Sequence, residues 1–238
     1  MTALSIAFYR ALAWILSLLI SVGLPLRINV GSTTVTAHSG CMGFADNSIE
    51  AMEAGVRAGA NIIEFDLNFT RSGEPVLSHD EPNEDGVLVS PAEAFCFLSE
   101  NKSVLANVDV KSTLYLEKLV PLAEKFGVTE QLFMTGLDEN GIAAVKEKCP
   151  GIPYYLNVYA DIHTDVRSLV DKALDLGAVG LNLPWENASR RMVRLCHHAG
   201  LLVSVWTVDE TRPIIEMALI GVDNITTRCP DLVSSLIR

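Results

Sequence analysis

Two acidic residues, Glu64 and Asp66, stand one residue apart in the run Asn61–Phe69 (NIIEFDLNF). Alternation along an extended chain puts both carboxylates on one face and Ile63, Phe65 and Leu67 on the other. Carboxylates set among apolar neighbours are costly unless neutralised. A hard divalent cation held by carboxylate oxygens meets that cost; a solvated face or an ion pair with Lys111 is the plainer alternative. Other polar residues cluster at comparable places. His38 precedes Ser39-Gly40, His79 precedes Asp80, Asp109 sits two residues before Lys111, and Trp206 precedes Thr207. Two histidines beside a metal suit proton transfer to and from oxygen. Lys111 suits either a pair with Asp109 or a point charge for a phosphate oxygen. His163, in a loop, and His197-His198, at a helix end, have no such company.

The elements that must position these groups alternate along the chain. Short β-branched and apolar runs predict strands at Thr33–Ala37, Asn61–Phe69, Val104–Val110, Gln131–Thr135, Tyr154–Tyr159, Val179–Leu183, Leu201–Val208 and Asn224–Thr227. A shorter return strand is expected at Pro75–Ser78. Helical spacing fills the intervals: Ser48–Ala58, a helix near Pro91–Glu100, Leu114–Phe126, Asp138–Lys148, Asp165–Leu176, Ala188–Ala199 and Thr211–Leu219. Gly127, Gly177, Gly200 and Gly221 each fall just past a predicted helix, where a left-handed cap suits glycine. Eight strands, each followed by a helix and with no Gly-rich phosphate loop, favour α/β architecture of the closed (β/α)8 kind, the TIM barrel, over a doubly wound sheet. In such a barrel chemistry sits at the carboxyl ends of the strands. His38, Glu64 and Asp66, Asp109 with Lys111, and Trp206 all fall near those ends, and His79 closes the return strand.

Composition sets limits on partners. The chain has 238 residues, with 18 Lys plus Arg against 29 Asp plus Glu, for a net charge of −11. That balance excludes a nucleic-acid partner, whose binding rests on neutralising phosphates with Lys and Arg. Hydrophobic residues make up 49%, enough for a core and too many for a disordered chain. The five cysteines are widely spaced without a Cys-x-x-Cys pair, so they read as reduced or buried thiols. Residues 1–30 stand apart from residues 31–238, which hold the barrel pattern. Ala11–Leu26 is an uncharged, mostly apolar run between Arg10 and Arg27. It is short for a bilayer span of about 20 residues. Three readings stay open for it: a membrane anchor, an exported leader, or a short apolar helix packed outside the barrel. The first two imply membrane association through residues 11–26 or export; the third is compatible with a cytoplasmic protein.

The order H-S-G, D-N-S-I-E-A, G-A-N-I-I-E-F-D-L-N-F and S-G-E-P-V-L-S-H-D resembles the first catalytic blocks of the glycerophosphodiester phosphodiesterase family. A-N-V-D-V-K, S-V-W-T-V and G-V-D-N-I-T-T-R-C-P-D-L match the later ones in kind, and the apolar start resembles the membrane-anchored members. The resemblance implies a TIM barrel that hydrolyses a small phosphodiester to sn-glycerol 3-phosphate and an alcohol with a divalent cation, Mg²⁺ or Ca²⁺. It implies Glu64, Asp66 and Asp109 as metal ligands, His38 and His79 as the acid–base pair, and Lys111 and Trp206 at the phosphate and glycerol. Four departures stand out. Ser39 replaces the arginine of H-R-G, leaving one neutral hydroxyl where a guanidinium fork would be. Asp46 and Asp109 each stand where the family has Glu. The stretch after Asp80 is a stub, Glu81–Val89, where the family has a longer insertion, so an open site is expected. A slowed phosphodiesterase is the first expectation. A weakened phosphate-ester-binding barrel and an enzyme for lysophospholipids are the alternatives.

Overall fold

The computed structural model describes residues 3–22, 33–83, 85–86, 88–159 and 164–237. Residues 23–26 of the apolar run, Glu84 and Val87 of the stub, and His163 lie outside them. Eight parallel strands form the sheet: β1 (Thr34–Ala37), β2 (Ile62–Phe69), β4 (Leu105–Val110), β5 (Leu132–Thr135), β6 (Tyr155–Asn157), β7 (Gly180–Pro184), β8 (Leu202–Trp206) and β9 (Asn224–Thr227). They run side by side in the order β5-β4-β2-β1-β9-β8-β7-β6. A parallel bridge between Met134 and Tyr154 brings the two ends together, so the barrel is nearly closed. A ninth strand, β3 (Pro75–Leu77), folds back antiparallel on β2, with Leu77 opposite Leu67.

Helices α2 (Ile49–Arg57), α3 (Pro91–Glu100), α4 (Leu119–Phe126), α5 (Glu139–Lys148), α6 (Val166–Asp175), α7 (Arg190–His198), α8 (Thr211–Ile220) and α9 (Pro230–Leu236) follow the barrel strands in turn. Their starts are written locally. The Ser48 hydroxyl accepts the Ala51 N–H, Ser90 and Glu93 form a reciprocal box ahead of Pro91, and Asp138 accepts from Gly141. Such caps satisfy N–H groups that lack partners inside the helix. Gly127 and Gly221 end α4 and α8 with left-handed backbone.

Two expected elements are shortened, and one helix lies beyond the expected ranges. The helix expected over Leu114–Phe126 begins as a left-handed Tyr115 and a 3₁₀ turn at Leu116–Lys118, and only then becomes α4. Pro121 tolerates only the first turn of a regular helix, which fixes where α4 begins. The strand expected over Tyr154–Tyr159 shrinks to β6. The helix after the last strand, for which the sequence offered no range, is α9, led by Pro230 at its first position.

Alternation along β2 decides where the core sits. Ile63, Phe65 and Leu67 are fully buried against the helix layer, with Phe65 edge-on to Phe95 of α3. The opposite face points into the barrel and is polar on most strands. Thr36, Asn107, Thr135, Asn182, Ser204, Asn224 and Thr226 are all buried. They satisfy one another: Thr36 Oγ1 donates to Asn224 Oδ1 at 2.8 Å, Asn224 Nδ2 to Ser204 Oγ at 3.0 Å, and Thr135 Oγ1 to Asn107 Oδ1 at 2.8 Å. Buried polar groups persist where they are paired in this way.

The first helix, α1 (Ala3–Ser21), lies on α8. Ala13 is fully buried, Arg10 Nε lies 3.3 Å from Glu216 Oε1, and the Arg190 guanidinium stacks on the Tyr9 ring at 4.6 Å. Phe8, Trp14, Ile15, Leu18 and Val22 remain exposed. Among the described residues, no helix is long and apolar enough to cross a membrane.

Candidate active site

Adjacent strands deliver the acidic groups. In the β2–β4 register Glu64 lies opposite Asn107, and Asp66 opposite Asp109. Glu64 and Asp66 are 5% and 2% exposed. One oxygen from each of Glu64, Asp66 and Asp109 lies within 4.8 Å of the others.

Each carboxylate is held by neighbours. The Ser39 backbone N–H donates to Glu64 Oε2 at 2.7 Å. Asn47 grips Asp66 twice: its Nδ2 donates to Asp66 Oδ2, and its Oδ1 accepts the Asp66 backbone N–H, both at 2.9 Å. Asp109 has room because residue 136 is glycine. A Cβ there would overlap the Asp109 carboxylate, and the backbone is left-handed at φ +77°. Gly40 plays the same part for Asp46, whose carboxylate fills the space a Cβ would need.

Lys111 Nζ completes the cluster, 2.7 Å from Asp109 Oδ2 and 3.0 Å from Asp66 Oδ1. Burial alone would lower its pKa, but the charges and hydrogen bonds of Asp109 and Asp66 outweigh burial and hold it above its ordinary value. Burial, then the Asp66 and Asp109 charges, push the Glu64 carboxyl well above the usual carboxylate range. Three carboxylates and one ammonium leave a formal charge of −2 in a buried, all-oxygen donor set. A divalent cation of the hard class fits that charge and those donors.

The histidines flank this cluster. His38 follows β1, its N–H bound to Thr227 O at 2.9 Å. Its Nδ1 lies 3.2 Å from Ser39 Oγ and 3.8 Å from Glu64 Oε2. Burial, and after it the Arg228 charge, lower the His38 pKa. His79 follows β3, with its Nδ1 2.8 Å from Asp80 Oδ1 and a side chain 65% exposed. The β3 hairpin brings it over the barrel mouth, anchored by Ser78 N–H to Asp66 O at 3.0 Å. Trp206, at the end of β8, meets Tyr159 edge-on at 6.0 Å, and its buried indole N–H has no hydrogen-bond partner.

One cleft of about 850 Å³ at this end of the barrel is lined by His38, Glu64, Asp66, His79, Asp109, Lys111 and Trp206. Of the residues singled out from sequence, Ser39 is the exception. It is 2% exposed behind His38 and touches Glu64 through its backbone, and it does not line the cleft. Four other residues escaped the sequence reading. Asn47 lies in the D-N-S-I-E-A block directly before Ser48, which caps α2. Tyr159, Asp209 and Arg228 carry no spacing signal of their own; only the β8 and β9 ends that place them at the barrel mouth would have pointed to Asp209 and Arg228.

Residues 37–87 match the model of the glycerophosphoryl diester phosphodiesterase family. The chain is 25% identical to a glycerophosphodiester phosphodiesterase of Caldanaerobacter subterraneus, over 87% of this chain and 98% of the relative. It is 22% identical to one of Bacillus altitudinis, over 84% and 96%. Among solved structures, a glycerophosphodiester phosphodiesterase from Parabacteroides distasonis superposes with a TM-score of 0.74 at 20% identity, covering 85% of this chain and 95% of that one. An Oleispira antarctica phosphodiesterase in complex with the product sn-glycerol-3-phosphate superposes with a TM-score of 0.71 at 18% identity, covering 85% and 95%.

Proposed function

We infer that this chain, a phosphoric diester hydrolase of the glycerophosphoryl diester phosphodiesterase family, releases sn-glycerol 3-phosphate and an alcohol from glycerophosphodiesters with the help of a divalent cation. The observation that carries the reading is the meeting of Glu64, Asp66 and Asp109 with two histidines in one cleft. Glu64, Asp66 and Asp109 are the residues that would hold Mg²⁺ or Ca²⁺. Such an ion supplies positive charge for a phosphate oxygen that gains negative charge as the phosphorus is attacked.

The chain's own groups divide the proton work. His38, lowered by burial and by Arg228, is neutral at pH 7 and takes the proton of the attacking hydroxyl. His79 has Nδ1 engaged by Asp80, which leaves Nε2 to give a proton to the departing alcohol oxygen. Lys111, fixed between Asp66 and Asp109, keeps the carboxylates in place and lends its charge to the phosphate side of the cleft. Trp206 offers its indole to the glycerol carbons. Asn47 and the Ser39 N–H hold Asp66 and Glu64 in the geometry this arrangement needs.

The test is a panel of diesters, including glycerophosphocholine and glycerophosphoethanolamine, assayed for sn-glycerol 3-phosphate with Mg²⁺ or Ca²⁺ titrated from zero. Turnover that appears only with metal supports the reading. No turnover anywhere on the panel overturns it. The exposed apolar side chains of α1 and the residue after it (Phe8, Trp14, Ile15, Leu18 and Val22) support attachment of the barrel to a lipid surface. Vesicle flotation of the full chain, against one with Trp14 and Ile15 replaced by Ser, tests that location.

A further inference from the structure

A phosphodiester brings an anion to a chain whose net charge is −11, and the family pattern that answers it with an arginine after the first histidine has Ser39 here. Ser39 is buried and does not line the cleft. Among the described residues, the lysine and arginine side chains lining the cleft are Lys111 and Arg228. Lys111 is already bound by two carboxylates, at 2.7 and 3.0 Å. An ammonium so engaged keeps one N–H and its charge for a ligand, but it cannot fork two phosphate oxygens.

Arg228 is differently placed. It follows β9 directly, and β9 is the neighbour of β1: Ala37 pairs with Thr227, and the His38 N–H reaches Thr227 O at 2.9 Å. Its own carbonyl accepts the Met42 N–H at 2.9 Å, which ties the β9 end to the loop that carries H-S-G. Its side chain is 49% exposed, and Nη1 has one long contact, 3.4 Å to Asp209 Oδ2. Asp209 is itself fixed, since its Oδ1 accepts the Arg228 backbone N–H at 2.7 Å and the Thr227 hydroxyl at 3.0 Å. One edge of the guanidinium is thus steadied while most of its five donors stay open.

We propose that Arg228 grips the phosphate of the substrate, doing from the β9 side what the arginine missing at position 39 would do from the β1 side. The proposal rests on the hydrolase reading for its substrate, but its geometry concerns only an anion beside His38. A planar fork takes two phosphate oxygens at once, which a lysine cannot do. Asp209 is the positioning residue that keeps the fork over the cleft. The step needs no covalent bond to Arg228.

The experiment compares the full chain with Arg228→Ala and Arg228→Lys by calorimetric titration with sn-glycerol 3-phosphate in the presence of Ca²⁺, alongside kcat/KM on the best diester of the panel. Removing a charged phosphate contact weakens binding by about 10- to 150-fold. Arg228→Ala should show that loss in affinity for sn-glycerol 3-phosphate, Arg228→Lys should recover only part of it, and thermal unfolding should stay unchanged for both. Affinity within about twofold of the wild type in Arg228→Ala overturns the proposal. A wild-type chain that binds sn-glycerol 3-phosphate but turns over no diester brings down the hydrolase reading alone, because the affinity comparison still judges Arg228. A wild-type chain that neither binds sn-glycerol 3-phosphate nor turns over any diester overturns both; where only turnover is measurable, the loss in kcat/KM judges Arg228.

Discussion

Replacing Glu64 by Gln removes one charge and keeps the shape. In the folded chain the Glu64 carboxyl is 5% exposed and titrates well above its ordinary range, through burial first and the Asp66 and Asp109 charges next. A carboxylate whose folded pKa lies above its unfolded value, near 4.3, is unfavourable to ionise in the fold. Its stability is therefore full below the unfolded value and is lost as pH rises through the raised folded one. At pH 8 and without metal, wild type carries this penalty and Glu64→Gln does not. The amide oxygen can still accept the Ser39 N–H that now bonds Glu64 at 2.7 Å. The metal-free variant should melt at or above wild type at pH 8, with the gap closing towards pH 4.

Metal reverses that order. The wild-type cluster has a formal charge of −2, which a divalent cation at a hundred times its Kd would neutralise with a gain of about 2.7 kcal/mol. For a chain of this size that is roughly a 5–10 °C rise in Tm. Glu64→Gln leaves −1 and one neutral ligand. A hundredfold loss of affinity leaves about 0.4 kcal/mol, or roughly 1–2 °C. Thermal unfolding after chelation, with Mg²⁺ or Ca²⁺ added back between pH 4 and 8, reads both effects. A metal-free variant that melts clearly below wild type at pH 8, or a metal-induced rise equal in the two chains, would refute the reasoning.

His38→Ala and His79→Ala should each lower kcat by about 10²–10⁴-fold while thermal unfolding and the metal-induced rise in Tm persist; retained turnover would remove either histidine from the mechanism. Asn47→Ala removes two hydrogen bonds to Asp66 and should destabilise the metal-free chain by about 2–4 kcal/mol, measured by urea unfolding, since Asp66 is only 2% exposed. Ser39→Arg should lower Tm and leave kcat/KM no higher than wild type, because the side chain at this position is 2% exposed and does not line the cleft; a gain in kcat/KM would show that position 39 reaches the phosphate.

The sequence made the strands and the acidic pair legible for one reason: alternation. In NIIEFDLNF the apolar and acidic residues fall on opposite faces whatever the fold, and a barrel then leaves one destination for the acidic face. The helices were legible from their apolar spacing and from the glycines just past them, such as Gly127 and Gly221. Lys111 came with Asp109, two residues on and just past the end of the same strand. What stayed hidden depends on strands far apart in the chain. Asn47 reads as part of a helix start, and only the fold turns its amide onto Asp66, 19 residues on. Arg228 and Asp209 sit at the ends of β9 and β8, and only the ring order β1-β9-β8 brings them beside His38. Ser39 marks the same limit from the other side. Its place after the histidine suggested contact with the phosphate, yet the turn after β1 spends its N–H on Glu64 and buries its side chain. A motif fixes where the backbone goes, and the side chain that meets the ligand is set by the neighbouring strand. A lost arginine in one motif is therefore weak evidence of lost function where an adjoining strand offers another, and here Arg228 follows β9 directly and lines the same cleft.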